Sequence, residues 1–285
     1  MNISPTLSVI YSELVLSLYP ILIKVVNTNL YTQILARFLV FPLLAIIGGT
    51  WYGHTLWGNT SEMMTGILMN LVNMVHVGVS YVAFKDLPAG TAISLFYMYP
   101  IFNVIAGALL FGESISFLSI LFIIVAFIGT YLIATSHEEK KTDETYHSGV
   151  IMGILAAVTE TLIFIYVRSQ AQTSPFYTVT HLYPFGFLAL MVYGLFHTNI
   201  VDTSSVHWAQ LIGFNALLGF TGYIARFYGM SNVPTIVFSL LSFIGVMGGY
   251  AWGTLFTNDK PTMKAIIGGV CIAGSIAAMR YFEIA

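Results

Sequence analysis

The sequence predicts an all-α, polytopic membrane protein with ten transmembrane helices in two inverted five-helix repeats. Hydrophobic residues make up 57% of the 285 residues and charged residues only 8%, whereas soluble domains contain about 25% charged residues. Apolar runs of about 20 residues, the length that crosses a bilayer, follow one another along the whole chain. The two halves of the chain also resemble each other in sequence.

Ten apolar runs are predicted to span the membrane, with short polar connections between them. Their predicted boundaries are 7–26, 31–50, 63–84, 88–111, 117–135, 149–170, 175–197, 207–229, 233–256 and 262–282. The first run is preceded by no basic segment and followed by no small-residue cleavage site. We therefore expect it to remain as a helix and not to be removed as a signal peptide.

The charged stretch SHEEKKTDETYH divides the chain almost in half. It contains six charged residues and is predicted to be a solvated linker. The chain is therefore divided into a first five-helix repeat at 1–135, a linker at 136–148 and a second repeat at 149–285. Because five crossings is an odd number, the second repeat must start on the opposite side of the membrane. Many secondary transporters use such inverted repeats for alternating access.

Corresponding residues in the two halves support the repeat. The fourth span reads LPAGTAISLFYMYPIFNVIAGALLFGESIS and the ninth VPTIVFSLLSFIGVMGGYAWGTLFTNDKPT, and in each a proline precedes an acidic residue by 25 positions. The matched pairs are Pro88 with Pro234, Glu113 with Asp259, Asn70 with Asn215 and Glu13 with Glu160.

These features resemble the drug/metabolite transporter superfamily in its EamA-like branch. The resemblance rests on ten spans, the five-plus-five repeat and the LPAGTA…YMYP…FGES pattern of the fourth span, and it covers essentially the whole chain. The ninth span departs from the pattern, because it ends in FTNDKP where the family more often has a Gly-Glu turn. The resemblance implies that the fourth and ninth helices line a central cavity through Tyr97, Tyr99, Asn103, Ser239 and Ser242.

Charged residues inside the predicted spans are the main candidates for function. Glu13, Arg37 and Glu160 lie several residues inside their predicted spans, and Arg226 lies within the eighth span. A charge at bilayer depth costs at least a few kcal/mol, so it tends to face a cavity, a partner or a substrate path. Each acid could pair with an arginine, bind a cationic substrate or carry a proton. Arg37 could bind a substrate carboxylate or phosphate, or it could simply neutralise Glu13.

Polar residues at helical spacing form a stripe in each of two matched spans. Asn73 and His76 follow Asn70 in the third span, and Arg226 follows Asn215 in the eighth. Such residues often hydrogen-bond across helix interfaces without any further role. Because the two stripes lie in equivalent helices, we expect them to face a shared cavity.

The resulting prediction is a secondary transporter that moves a small polar or amphiphilic metabolite by alternating access. Amino acids, other zwitterions and amines are the first substrate class, with protons as a candidate coupling ion. The alternatives are a carrier of nucleotide-like or phosphorylated metabolites and, from another class, a channel. The sequence contains no P-loop, no H-E-x-x-H and no G-x-S-x-G motif. We therefore expect no catalytic residues, no bound metal and no cofactor.

The expected partners are a small-molecule substrate and the lipid bilayer. The net charge of −2 provides no basic patch for nucleic acid. We expect a multi-pass protein of the plasma or inner membrane, monomeric, with a dimer as the alternative. Orientation stays open, because the positive-inside rule favours an external N-terminus whereas the resemblance implies that both termini lie in the cytoplasm.

Overall fold

The computed structural model describes residues 4–87, 89–137, 144–170, 173–197, 199–257 and 262–282. Within these ranges the chain forms helices and no strand. The helices form ten segments, numbered here in chain order. Their bounds are Pro5–Leu16 with Tyr19–Val25 (segment 1), Leu30–Trp51 (2), Thr60–Asp86 (3), Ala89–Phe96 with Tyr99–Phe111 (4), Phe117–Ala134 (5), Glu144–Ser169 (6), Pro175–Leu182 with Pro184–Phe196 (7), Ser205–Phe214, a π-helical turn Asn215–Gly219 and Phe220–Asn232 (8), Thr235–Ser242 with Ile244–Thr257 (9), and Met263–Tyr281 (10).

Nine of the ten described segments are long and apolar enough to cross a membrane. Segment 8 is not among them, although the sequence predicts a span at 207–229. It contains the buried Asn215 and Arg226 and packs against segments 1, 2 and 7. The two buried polar residues lower the mean hydropathy of segment 8, and contact with other helices keeps them away from lipid.

Breaks divide four of the segments into two shorter helices. In segments 1, 4 and 7 the second helix begins with Pro20, Pro100 or Pro184 in its first turn, where a missing N–H costs no intrahelical hydrogen bond. Segment 9 breaks at Phe243 without a proline. Pro42, in contrast, lies inside the continuous helix of segment 2. The Tyr-Pro pairs therefore mark helix breaks near the middle of the bundle.

The segments pack in pairs that a two-fold axis would exchange. Segment 1 packs against segment 8 and segment 3 against segment 6, while 2 pairs with 7, 4 with 9 and 5 with 10. An exchange of the two halves replaces segments 1 to 5 by segments 6 to 10 and the reverse. It converts the 1–8 pair into the 3–6 pair and leaves the other three pairs unchanged. The predicted all-helical, multi-pass class is confirmed, and an inverted repeat fits this pairing. The division at 1–135, 136–148 and 149–285 stays a prediction.

One observed boundary differs from the predicted linker, and part of the linker and of the repeat cannot be compared. Segment 6 begins at Glu144, so the last residues of the predicted linker at 136–148 already belong to a helix. Residues 138–143, Pro88 and Asp259 lie outside the described residues.

Large apolar side chains cover the outside of the bundle on most segments. The most exposed include Leu109, Phe117, Leu195, Phe196 and Val270. A soluble protein would not expose so many, because contiguous apolar surface of this extent marks contact with lipid or another protein. The chain is a multi-pass integral membrane protein.

Candidate functional site

Three charged side chains from three segments meet in the centre of the bundle. Arg226 of segment 8 donates from Nη1 to Oε1 of Glu13 in segment 1. It also donates to Oε1 of Glu160 in segment 6, from Nε at 3.1 Å and from Nη2 at 2.7 Å. All three residues are at least 97% buried. One guanidinium therefore contacts two carboxylates, which the sequence matches as repeat-related positions.

His76 of segment 3 extends this cluster. Its Nε2 lies 3.2 Å from Oε2 of Glu160. Its Nδ1 lies 3.2 Å from the carbonyl oxygen of Ala156 and 3.1 Å from the hydroxyl of Thr159. The imidazole thus links the second carboxylate to the backbone of segment 6, and either ring nitrogen can carry the proton. Four protonatable or charged groups (Glu13, Glu160, Arg226 and His76) form one continuous network, called here the charged cluster.

Aromatic residues of segments 4 and 9 surround the charged cluster. Tyr97 donates its hydroxyl to Oε2 of Glu13 at 3.1 Å, and Tyr99 donates to Oε1 at 3.4 Å. The rings of Tyr99 and Phe238 lie 5.1 and 5.3 Å from the guanidinium carbon of Arg226. These contacts provide cation–π attraction to the arginine and satisfy the remaining carboxylate oxygen of Glu13.

A cavity of about 50 Å³ lies beside the charged cluster. Glu13, His76, Tyr97, Glu160 and Arg226 line it. Roughly 10–15 Å³ of such volume is needed per water molecule, whereas pockets for drug-sized ligands measure about 300–1,000 Å³. The cavity is therefore large enough for a few water molecules, and a metabolite would fit only after the surrounding segments move apart.

Arg37 lies at the same cavity but outside the charged cluster. The sequence leaves open whether it neutralises Glu13, and the structure shows that Arg226 does so instead. Arg37 donates from Nη2 to the hydroxyl of Tyr183 at 2.9 Å, and the rings of Tyr19, Phe41 and Tyr223 also lie against its guanidinium. The buried arginine of segment 2 is therefore held by aromatic side chains.

Only part of the predicted polar stripe in segment 3 reaches the cavity. His76 lines it, but Asn73 is not among its lining residues. Asn73 donates to the carbonyl of Leu182 at 2.8 Å, and Asn70 accepts from the backbone N–H of Gly186 at 2.6 Å. The two asparagines fasten segment 3 to the broken backbone of segment 7. The expectation that Asn73 faces the cavity is not met.

The stripe in segment 8 is also divided. A π-helical turn spans Asn215–Gly219 and inserts a residue into the helical register. Asn215 accepts from the hydroxyl of Tyr19 at 2.8 Å, while Arg226 reaches the cavity. The regular spacing that connects these two residues in the sequence therefore does not place them at one site.

Four of the five residues that the family resemblance places at the cavity do not line it. Tyr97 is a lining residue, whereas Tyr99 touches the cluster through Glu13. The other three side chains, those of Asn103, Ser239 and Ser242, are fully buried and are not among the lining residues. Segments 4 and 9 pack directly against each other, which explains how residues of these helices can be buried away from a cavity.

The cavity-lining residues that sequence reasoning missed include Ser17, Tyr81 and Tyr223. Tyr223 lies one helical turn before Arg226, and Tyr81 lies between one and two helical turns after His76 in segment 3. Both positions could have been found by extending the stripes to aromatic residues.

A second polar cluster holds the segments together at the face where segment 1 begins. Arg168 pairs with Oε1 of Glu113 at 2.8 Å and donates to the carbonyl oxygens of Met230 and Val233 at 3.1 and 2.6 Å. Glu113 also accepts from the backbone N–H and hydroxyl of Thr235, at 3.0 and 2.7 Å. These contacts, called here the terminal latch, join the ends of segments 4, 6 and 8 to the start of segment 9.

The described residues contain no group of three or more His, Cys, Asp or Glu side chains placed to hold a metal ion. The carboxylates of the charged cluster are instead engaged by arginine, histidine and tyrosine. The arrangement is suited to binding charged organic groups and to accepting protons.

Characterised and uncharacterised transporters are similar to this chain in sequence. An uncharacterised transporter of Bacillus subtilis, YxxF, is 22% identical over 195 residues, which is 68% of this chain and 62% of that protein. The chain thus spans less than two thirds of this relative's length. The pseudopaline exporter CntI of Pseudomonas aeruginosa is 21% identical over 215 residues, covering 75% of this chain and 73% of the exporter.

The fold and a family model agree with these similarities. A protein of known crystal structure superposes with a TM-score of 0.81 over 97% of this chain and 98% of its own length, at 16% identity. The model of the EamA-like transporter family matches residues 4–135 and 147–281. The predicted resemblance to the EamA-like branch of the drug/metabolite transporters is confirmed, and the chain belongs to the EamA-like transporter family.

Proposed function

We propose that the protein is a secondary carrier that moves a small polar or amphiphilic metabolite across the membrane by alternating access. The observation that carries this proposal is the charged cluster, which places two carboxylates and a guanidinium beside a central cavity. Ionised groups at bilayer depth are costly to keep, so they usually mark a substrate or ion pathway. The first substrate class is amino acids, other zwitterions and amines.

The terminal latch supports a carrier with two gates. It joins segments 4, 6, 8 and 9 on one side of the cavity, through Glu113 and Arg168. The cavity residues Ser17, Ser80 and Phe84 lie further along segments 1 and 3, towards the opposite face. An alternating-access cycle would break the latch when the cavity opens to the latch side. In a channel, by contrast, both sides would be open together during flux.

Proton coupling forms a further part of the proposal. Glu13 and Glu160 share one guanidinium, so protonating one of them leaves the other paired with Arg226. His76 contacts Glu160 directly and offers a neighbouring proton acceptor. A proton could therefore replace a cationic substrate at the acids, which is the exchange that an antiporter needs.

A carrier of phosphorylated metabolites is the second candidate within this family. It is supported by two buried arginines, since guanidinium groups bind phosphate well. Arg226 is already engaged by both carboxylates, however, and these would repel a phosphate dianion. A relative that exports pseudopaline supports organic metabolites as cargo more generally. We place this carrier in the plasma or inner membrane as a monomer.

Uptake into proteoliposomes tests the proposal. The purified protein is reconstituted and supplied with a pool of amino acids, amines and phosphorylated metabolites, and the contents are identified by mass spectrometry. A carrier should accumulate a defined class with saturable kinetics, and an imposed pH gradient should change the rate. Flux that does not saturate would favour a channel, and uptake of phosphorylated compounds alone would favour the second candidate.

A further inference from the structure

Arg37 is a buried cation without an acidic partner among the residues that the structure describes. It lies in the middle of segment 2 with 2% of its surface exposed. Among the described residues, no carboxylate oxygen lies within 4.0 Å of its guanidinium nitrogens. Buried arginines are normally paired, because an uncompensated charge at this depth is strongly unfavourable. The one net negative charge of the charged cluster balances Arg37 only across the cavity, so a carboxylate that arrives with a ligand could pair with the guanidinium directly.

Four aromatic rings surround this guanidinium. Its central carbon lies 4.5 Å from the ring centroid of Tyr223, 5.0 Å from Tyr19, 5.3 Å from Phe41 and 5.7 Å from Tyr183. Cation–π attraction therefore stabilises the charge without using the N–H donors at the edge of the guanidinium plane. The only one of these rings that also accepts a hydrogen bond from it is Tyr183.

Two buried donors, Nε of Arg37 and the hydroxyl of Tyr81, have no acceptor in good hydrogen-bonding geometry within the described part of the chain. The hydroxyl oxygen of Tyr81 itself lies next to the guanidinium of Arg37. Both residues line the cavity that also borders the charged cluster. Buried donors without an acceptor are rare in folded proteins and call for an explanation. A carboxylate has acceptor sites on both oxygens and could satisfy both donors at once.

The charges around the cavity show which kind of anion would fit. Glu13, Glu160 and Arg226 together have one net negative charge, and Arg37 contributes one positive charge. A zwitterion could place its ammonium group at the acids and its carboxylate at Arg37, leaving the total unchanged. A simple anion would instead add an uncompensated negative charge, and a phosphate dianion would add two.

We propose that Arg37, together with the hydroxyl of Tyr81, forms the carboxylate-binding subsite for an amino-acid-like zwitterion, whose ammonium group faces Glu13 and Glu160. This inference rests on the proposed function, because it takes the central cavity as the substrate site. It goes further in selecting zwitterions over amines that lack a carboxylate. Arg37 is then a specificity-determining residue.

The test compares ligands that differ only in the carboxylate. Melting temperatures of the purified protein in detergent micelles are measured with a pool of proteinogenic amino acids and with a pool of the corresponding carboxamides. The amino acids should raise the melting temperature and the carboxamides should not. The strongest single amino acid is then titrated against the variants.

Three variants separate the subsite from general effects. Arg37→Lys keeps the positive charge but loses the planar, forked donor arrangement, and it should weaken binding by about tenfold or more. Tyr81→Phe removes only the hydroxyl beside Arg37 and should weaken binding by several-fold, which keeps the test available if Arg37→Lys does not fold. Arg280→Gln replaces an exposed arginine at the end of segment 10 and should bind as the wild type does.

Different failures overturn different claims. Equal stabilisation by amino acids and carboxamides, or wild-type affinity in both Arg37→Lys and Tyr81→Phe, would overturn the subsite and leave the carrier proposal intact. Stabilisation by inorganic phosphate that depends on Arg37 would assign the subsite to phosphate instead. If neither pool binds, the proposed substrate class fails together with the subsite.

Discussion

Replacing Glu160 by glutamine removes one negative charge from the charged cluster and keeps the shape of the side chain. In the wild type, Nε and Nη2 of Arg226 donate to the same oxygen of Glu160, at 3.1 and 2.7 Å. The amide oxygen of the glutamine can still accept both of these hydrogen bonds. The amide N–H can donate to Nε2 of His76 if the ring proton moves to Nδ1, beside the carbonyl of Ala156. The hydrogen bonds of the site are therefore conserved in Glu160→Gln.

The cost in stability follows from the change in charge alone. Hydrogen bonds to charged groups contribute about 1.5–3 kcal/mol, and neutral ones about 0.5–1.5 kcal/mol. Glu160→Gln should therefore lower the free energy of unfolding by about 1–2 kcal/mol. The loss stays below the 3–5 kcal/mol expected for a stranded buried charge, because Arg226 remains paired with Glu13. Reversible denaturation in mixed micelles measures this difference.

Uptake should fall much further than stability in the same variant. If Glu160 binds the cationic group or carries the coupled proton, Glu160→Gln should fold and yet lose uptake or its response to a pH gradient. Glu62→Gln is the matched control, because Glu62 caps segment 3 at the protein surface, away from the cavity. Full uptake with unchanged pH dependence in a stable Glu160→Gln protein would exclude Glu160 from the mechanism and leave Glu13 as the next candidate.

Three further predictions follow from the packing. Arg226→Met leaves two facing carboxylates without their arginine and should lower the free energy of unfolding by about 3–5 kcal/mol. Unfolding in micelles would measure this loss, and a loss below about 1 kcal/mol would contradict the pairing. Gly129→Ala should cost about 1–3 kcal/mol, because a Cβ there would meet the carbonyl of Gly268 in the neighbouring helix, whereas Gly274→Ala has open space and should be neutral. Glu113→Gln weakens the terminal latch, so labelling of cysteines introduced on that side of the cavity should become faster, and unchanged labelling would show that the latch is not a gate.

The sequence alone was sufficient to predict the fold class and the most important acids. Apolar runs can be counted because the bilayer sets their length, and the repeat can be seen because matching residues keep their spacing. Glu13 and Glu160 stand out because a carboxylate at bilayer depth is costly unless it pairs with a cation, binds a substrate or carries a proton. The repeat also matched these two acids with each other before their shared contact with one arginine was visible.

The tertiary structure decided which of these residues meet. Either arginine was a candidate partner for the acids, and only the packing of segments 1, 6 and 8 brings Arg226 to both, while aromatic rings enclose Arg37. Asn73 and His76 lie on one stripe, yet only His76 reaches the cavity, and a π-helical turn separates Asn215 from Arg226. Periodicity specifies which residues share a helix face, but the rotation of each helix against its neighbours depends on contacts between residues far apart in the chain.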